Sequence, residues 1–180
     1  MTATLVRWTV ADYHAMIDAG LLADRRAELL NGLILAMPPE GPEHADLNRD
    51  TGDWFRERLG TRARVSEGKP IQLNDDSEPE PDIALIRRQS YRQSHPTAAD
   101  VYLIIEFSNT SLQKDTDEKR RAYAKAGIPD YWVVNLRHRQ LIVYRDPVAG
   151  DYRSEQRLTS GTLVPLAFPD IVISLSALLP

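Results

Sequence analysis

VYLIIEFSNTSLQKDTDEKRRAYAKAGIPDYWVV, from Val101 to Val134, decides how this chain folds. An apolar run, Val101 to Ile105, ends in Glu106. A polar turn follows, Ser108-Asn109-Thr110-Ser111, and then a charged amphipathic segment. Gly127-Ile128-Pro129 stops that segment, and a second apolar run occupies Tyr131 to Val134. Apolar runs bounded by turn residues suit buried strands. A helix between two such strands predicts a crossover and parallel pairing. Ser111, Asp115, Lys119, Tyr123 and Gly127 recur every four residues, so Asp115, Lys119 and Tyr123 form one polar stripe on the helix. If that stripe faces Glu106 it lines a site.

Working outward, Asp82 opens another apolar run, Ile83 to Ile86, behind the acidic turn Asn74–Pro81. Arg87 to Pro96 is polar, basic and loop-like. Gln140 to Arg145 is expected to pair antiparallel with Tyr131–Asn135 across the Leu136–Arg139 turn, and Tyr152 to Leu158 reads as a further strand. Leu163–Leu166 and Ile171–Leu175 are expected to close the sheet or wrap its edge. Toward the N-terminus, Thr9 can cap a helix with Asp12 three residues on, with Tyr13, Met16 and Ile17 on one face and Gly20 at its end. Arg25 to Leu35 reads as a hairpin, because Asn31-Gly32 tolerates positive φ at both turn positions. Met37–Pro42 is expected to be a loop. A helix opens at His44-Ala45-Asp46, carries Leu47, Trp54, Phe55 and Leu59, and ends near Gly60. Thr61 to Leu73 alternates well enough for one or two strands.

The chain of 180 residues suits one domain, 1–180, with a substantial core. It carries 22 basic and 26 acidic residues, a net charge of −4. That balance argues against a scaffold held to nucleic acid by bulk positive charge, but leaves room for a local basic face or a cation among carboxylates. There is no cysteine, which removes disulfides, thiolate metal sites and a cysteine nucleophile. No long apolar run or signal-peptide pattern is visible, so a cytoplasmic protein with no membrane association is expected.

Asp82 and Glu106 adjoin apolar strands, where unpaired charge is costly. Two such carboxylates repel unless a cation lies between them, and oxygen-only ligands point to Mg²⁺ or Mn²⁺. Lys119 on the following helix could orient a water or stabilise developing charge. The plainer reading gives Asp82 a backbone-bonding role at a strand entry, makes Glu106 a helix cap, and pairs Lys119 with Asp115 for roughly 0.2–0.5 kcal/mol. Asp115 could also cap the helix with Glu118. Glu28, just before the hairpin turn, reads either as an exposed strand carboxylate or as a site residue. His44 reads as a helix-start residue that is solvated, structural or ligand-touching.

Taken together, Glu28-Leu29-Leu30-Asn31-Gly32, the His44 helix start, Pro81-Asp82, Ile105-Glu106-Phe107-Ser108, Asp115…Lys119…Tyr123 and Gly127-Ile128-Pro129-Asp130-Tyr131-Trp132-Val133-Val134 carry a resemblance. They resemble the Uma-type family of bacterial restriction endonucleases, within the PD-(D/E)XK nuclease superfamily. The resemblance spans nearly the whole chain. It implies an α/β (α+β) fold: a restriction-endonuclease-like mixed β-sheet flanked by helices, here with an added N-terminal helix and hairpin and C-terminal strands. It also implies phosphodiester hydrolysis in DNA at a Mg²⁺ or Mn²⁺ site. Asp82, Glu106, Lys119 and Glu28 would be catalytic. Asp82, Glu106 and the carbonyl of Phe107 would hold the metal, with Asp115, Tyr123 and His44 behind them.

The superfamily often places its lysine two residues after the second acid. Ser108 stands there, and the lysine is matched instead by Lys119 on the helix. Asn109 and Asn135 depart from a proline and an aspartate common in the family. Arg87, Arg88, Arg92, Lys114 and Arg121 are candidates for phosphate contact, and cutting both strands of a duplex would suit a homodimer. The alternatives are a catalytically silent nuclease fold that binds nucleic acid or protein, and a nucleotide phosphohydrolase.

Overall fold

The computed structural model describes residues 4–179. Its centre is a six-stranded mixed sheet with strands in the order β3-β4-β5-β6-β7-β8. These are β3 (Arg64–Glu67), β4 (Ile83–Ile86), β5 (Val101–Ser108), β6 (Asp130–Asn135), β7 (Gln140–Val148) and β8 (Asp151–Leu158). The one parallel pair is β5 with β6, where Glu106 lies beside Val133. The crossover between them is the expected helix, but in two parts: a π-helical turn, Lys114–Lys119, runs into α3, Arg120–Lys125. The other neighbours are antiparallel.

Strand side chains alternate between two cores, as the pleat requires. Ile83, Leu85, Leu103, Ile105, Phe107, Trp132, Val134, Leu141 and Val143 face one way. They meet Phe55 and Leu59 of α2 (Pro42–Leu59). Ala84, Ile104, Tyr131, Val133, Ile142 and Tyr144 face the other way, onto Ala122 and Tyr123 of α3 and Leu30 of the hairpin. That hairpin, β1 (Ala27–Leu30) and β2 (Leu33–Ala36), is a separate two-stranded sheet. Asn31 and Gly32 take φ of 51° and 73°, the left-handed pair that a two-residue hairpin turn needs. Glu78 then bridges Leu29 and ties the hairpin to the body.

The helix α1 spans Val10–Asp18, with the reciprocal Thr9–Asp12 cap formed. Val10 and Tyr13 are buried, whereas Ile17 is exposed, so the apolar face is narrower than its sequence spacing suggests. The Pro-rich loop ends earlier than expected. Pro42 is the first residue of α2, the position where a missing N–H costs nothing.

The C-terminal segment wraps and does not extend the main sheet. β9 (Thr162–Leu163) and β10 (Ile173–Ser174) pair only with each other, and Phe168, Ile171, Ile173, Leu175 and Leu178 close the α2-side core. Its anchor is Asp130, which is fully buried. Asp130 accepts hydrogen bonds from Trp132 Nε1 (2.7 Å), Arg145 Nε (2.8 Å) and the Leu166 N–H (2.9 Å). Among the described residues no helix is long and apolar enough to cross a membrane.

Candidate metal and nuclease site

Ile83 pairs with Ile105 across antiparallel strands, so Asp82, one residue earlier, comes level with Glu106. Asp82 Oδ2 accepts the Phe107 N–H at 2.7 Å and lies 3.0 Å from His44 Nε2. Its pairing with a backbone amide is the strand-entry role the plainer reading gave it. The contact with His44 brings the start of α2 to the same carboxylate. Glu106 does not cap the following helix. Its Oε1 accepts from Lys119 Nζ at 2.7 Å and from the Tyr123 hydroxyl at 2.8 Å. The polar stripe therefore does face the strand end.

Lys119 lies 3.4 Å from Glu28 Oε2, and Lys114 Nζ is 3.0 Å from Glu28 Oε1. Glu28 is fully buried, not an exposed strand carboxylate, and also accepts the Glu80 N–H at 3.2 Å. Asp115 neither caps the helix nor bonds to Lys119. Its Oδ2 accepts both the Ser108 and Ser111 hydroxyls at 2.6 Å, and its carbonyl accepts the Tyr131 hydroxyl. The π-helical turn is the setting for this. Within it Asp115 serves the Ser108 and Ser111 hydroxyls while Lys119 serves Glu106.

Buried charge sets the electrostatics. Burial raises the Glu106 carboxyl to about 8, against the pull of Lys119. Burial would also lift Glu28, but Lys119 and Lys114 outweigh it and bring Glu28 below the usual carboxylate value. Burial disfavours the Lys119 ammonium, yet Glu106 and Glu28 together hold its pKa well above that of an ordinary lysine. One ammonium shared between two carboxylates leaves Glu106 short of positive charge. Burial disfavours the His44 imidazolium, but the hydrogen bond it donates to Asp82 and the charges of Asp82 and Glu40 together hold its pKa above that of an ordinary histidine.

His44, Asp82, Glu106, Lys114, Asp115 and Lys119 open onto a cavity of about 350 Å³, lined also by Arg26, Met37 to Glu43, Glu80, Phe107 and the Asn109–Ser111 turn. The family model Uma2, described as "Putative restriction endonuclease", matches residues 10–176. The chain belongs to the Uma2 family. No curated protein matches it. This Uma2 chain is similar in fold to a solved protein of Anabaena variabilis described as "a putative nuclease belonging to DUF820". The two share 16% sequence identity over 86% of this chain and 90% of that one, with a TM-score of 0.71. The likeness confirms the expected nuclease-type fold.

Within this Uma2 chain, the expected site residues divide. Glu28, Glu106, Lys119 and Tyr123 are brought together, with Asp82 and His44 adjoining and Asp115 bonded behind the Ser108 turn. Lys114 belongs to the buried charge network, beyond the phosphate-contact role the sequence suggested. Arg87, Arg88, Arg92 and Arg121 do not line the cavity. Arg87 bonds the Ala99 carbonyl, Arg88 the Gly60 carbonyl, and Arg121 pairs with Asp117 on its own helix face.

Asp82 also forms a cluster with Glu40 and His44, their donor atoms all within 4.8 Å of one another. Sequence reasoning missed Glu40, Glu80 and Arg26 here. For Glu80 the available signal was its spacing from Asp82, since residues two apart on extended chain share a face.

Proposed function

We propose that this chain is a divalent-metal-dependent endonuclease that hydrolyses phosphodiester bonds in DNA. The observation that carries the reading is Lys119, buried between Glu106 and Glu28, with Asp82 level with Glu106 at the mouth of an open cavity. The donor set fits a hard cation. Glu28, Asp82, Glu106 and Asp115 supply four carboxylates against the two ammonium groups of Lys114 and Lys119, and oxygen donors of this kind suit Mg²⁺ or Mn²⁺. Asp82 and Glu106 would hold the ion, with the Phe107 carbonyl, His44 and Glu40 as the further donors near Asp82. When bound, it would polarise a phosphoryl oxygen and make a bound water more acidic.

The chain's own residues do the rest. Tyr123 and Lys119 fix the rotamer of Glu106, and His44 and the Phe107 N–H fix Asp82. Lys119 places a positive charge where the attacking water and the phosphate's growing negative charge meet. Glu28 keeps that amine charged and aimed. Arg26 and Lys114 offer positive charge at the cavity wall for the DNA backbone. The whole chain serves as one such domain.

The test is a plasmid-nicking assay with Mg²⁺, Mn²⁺ or EDTA on the native protein and on Lys119→Ala, with a thermal melt to show that the variant folds. Metal-dependent strand breaks that vanish in the variant support the enzyme. DNA binding with no cutting under any condition overturns it in favour of a silent binding module. Release of phosphate from small nucleotides without strand breaks overturns it in favour of a phosphohydrolase. Linear product formed in one encounter would indicate paired chains, each cutting one strand.

A further inference from the structure

A second group of donors lies on the other side of the Glu78–Pro81 segment. His14 of α1 places Nε2 2.7 Å from Glu78 Oε1. The His14 and His95 rings stand edge to face with centroids 6.1 Å apart. One donor atom from each of His14, Glu78 and His95 lies within 4.8 Å of the other two. The Glu78 side chain is only 2% exposed, and its Oε2 has no hydrogen-bond partner among the described residues. The three residues line a cavity of about 270 Å³ together with Tyr13 and Ile17.

An unpaired oxygen on a buried carboxylate costs free energy that one hydrogen bond from an imidazole leaves partly unanswered. A cation between the three donors answers it. Two imidazoles and one carboxylate make a nitrogen-rich set, suited to Zn²⁺ and unlike the oxygen-rich set around Asp82 and Glu106.

We propose that His14, Glu78 and His95 form a second metal site, selective for an imidazole-preferring divalent ion such as Zn²⁺, that clamps α1 and the loop after β4 onto the Glu78–Pro81 segment. This segment supports the first site directly. The Glu78 N–H bonds the Leu29 carbonyl at 2.8 Å, and the Glu80 N–H bonds Glu28 Oε2. Ile17 and Tyr13 wall the cavity and leave the remaining coordination position to water.

The test is equilibrium dialysis of the EDTA-stripped full chain against Zn²⁺, with the visible spectrum of bound Co²⁺ as the report on ligand type. Wild type, His95→Ala, His14→Asn and Asp82→Asn are compared. His95 is exposed on a loop, so its replacement should leave the fold intact, and a melt without metal checks this. Wild type should bind a Zn²⁺ that millimolar Mg²⁺ does not displace. Affinity for that ion should fall at least about tenfold in His95→Ala and in His14→Asn, and be unchanged in Asp82→Asn. Equal Zn²⁺ binding in wild type and His95→Ala would overturn the proposal, as would loss of the ion in Asp82→Asn. Neither result depends on whether the protein cuts DNA.

Discussion

Lys119 would be central to the proposed chemistry. It is almost fully buried and answers two carboxylates at once. Replacing it by Met removes the amine but keeps the stem. We expect strand cleavage to fall by at least about a hundredfold, measured by single-turnover nicking. Tyr123 makes a subtler contribution, a hydroxyl bonded to a buried carboxyl. Tyr123→Phe should lower stability by about 1–3 kcal/mol in urea titration. A change under about 0.5 kcal/mol would show that the bond contributes little. Asp130 lies at the opposite end of the sheet but follows the same rule. Asp130→Ala would strand Arg145 and the Leu166 N–H, and should cost about 3–5 kcal/mol by denaturant melt.

Elements explain which parts of this were legible in the text of the chain. The Asn31-Gly32 turn and the Thr9–Asp12 cap depend on residues two or three apart, so local chemistry was enough to predict both. The crossover from β5 to β6 was legible because two apolar runs flank one amphipathic segment. Its π-helical turn was not, since nothing in Lys114–Lys119 distinguishes a wider turn from an α-helical one until Ser108 and Ser111 arrive to bond Asp115. The exposure of Ile17 and the burial of Glu28 were equally invisible. The burial of Glu28 depends on segments more than forty residues distant, Glu80 and Lys114.

The hairpin also supplies a test of its own. A Cβ added at Gly32 would come within 2.7 Å of Arg7 Cβ and sit at a φ of +73°. Gly32→Ala should therefore destabilise by about 1 kcal/mol or more in chemical denaturation. An unchanged midpoint would mean that the turn relaxes freely.

At the scale of the whole molecule, four carboxylates and two ammonium groups share one end of the sheet, and a divalent ion would bind the folded form alone. Mg²⁺ or Mn²⁺ at a hundred times its dissociation constant should stabilise the chain by about 2.7 kcal/mol, read as a rise in melting temperature. Asp82→Asn should abolish that rise, and a rise that survives in this variant would move the ion elsewhere. DNA affinity should weaken steeply with added salt, since Arg26 and Lys114 would act on phosphates.

The acids and the amine of the proposed site come from remote parts of the chain. Glu28 rides on the hairpin, Asp82 enters β4, and Glu106 and Lys119 bracket the turn into the crossover. On the proposed function, the cutting centre would exist only once these segments have docked, and a fragment lacking any of them would not hold it. A chain still emerging from the ribosome, or clipped between its hairpin and its sheet, would hold scattered acids and no working blade. If the proposed activity holds, a cell making this protein would be exposed to it only once each copy had finished folding.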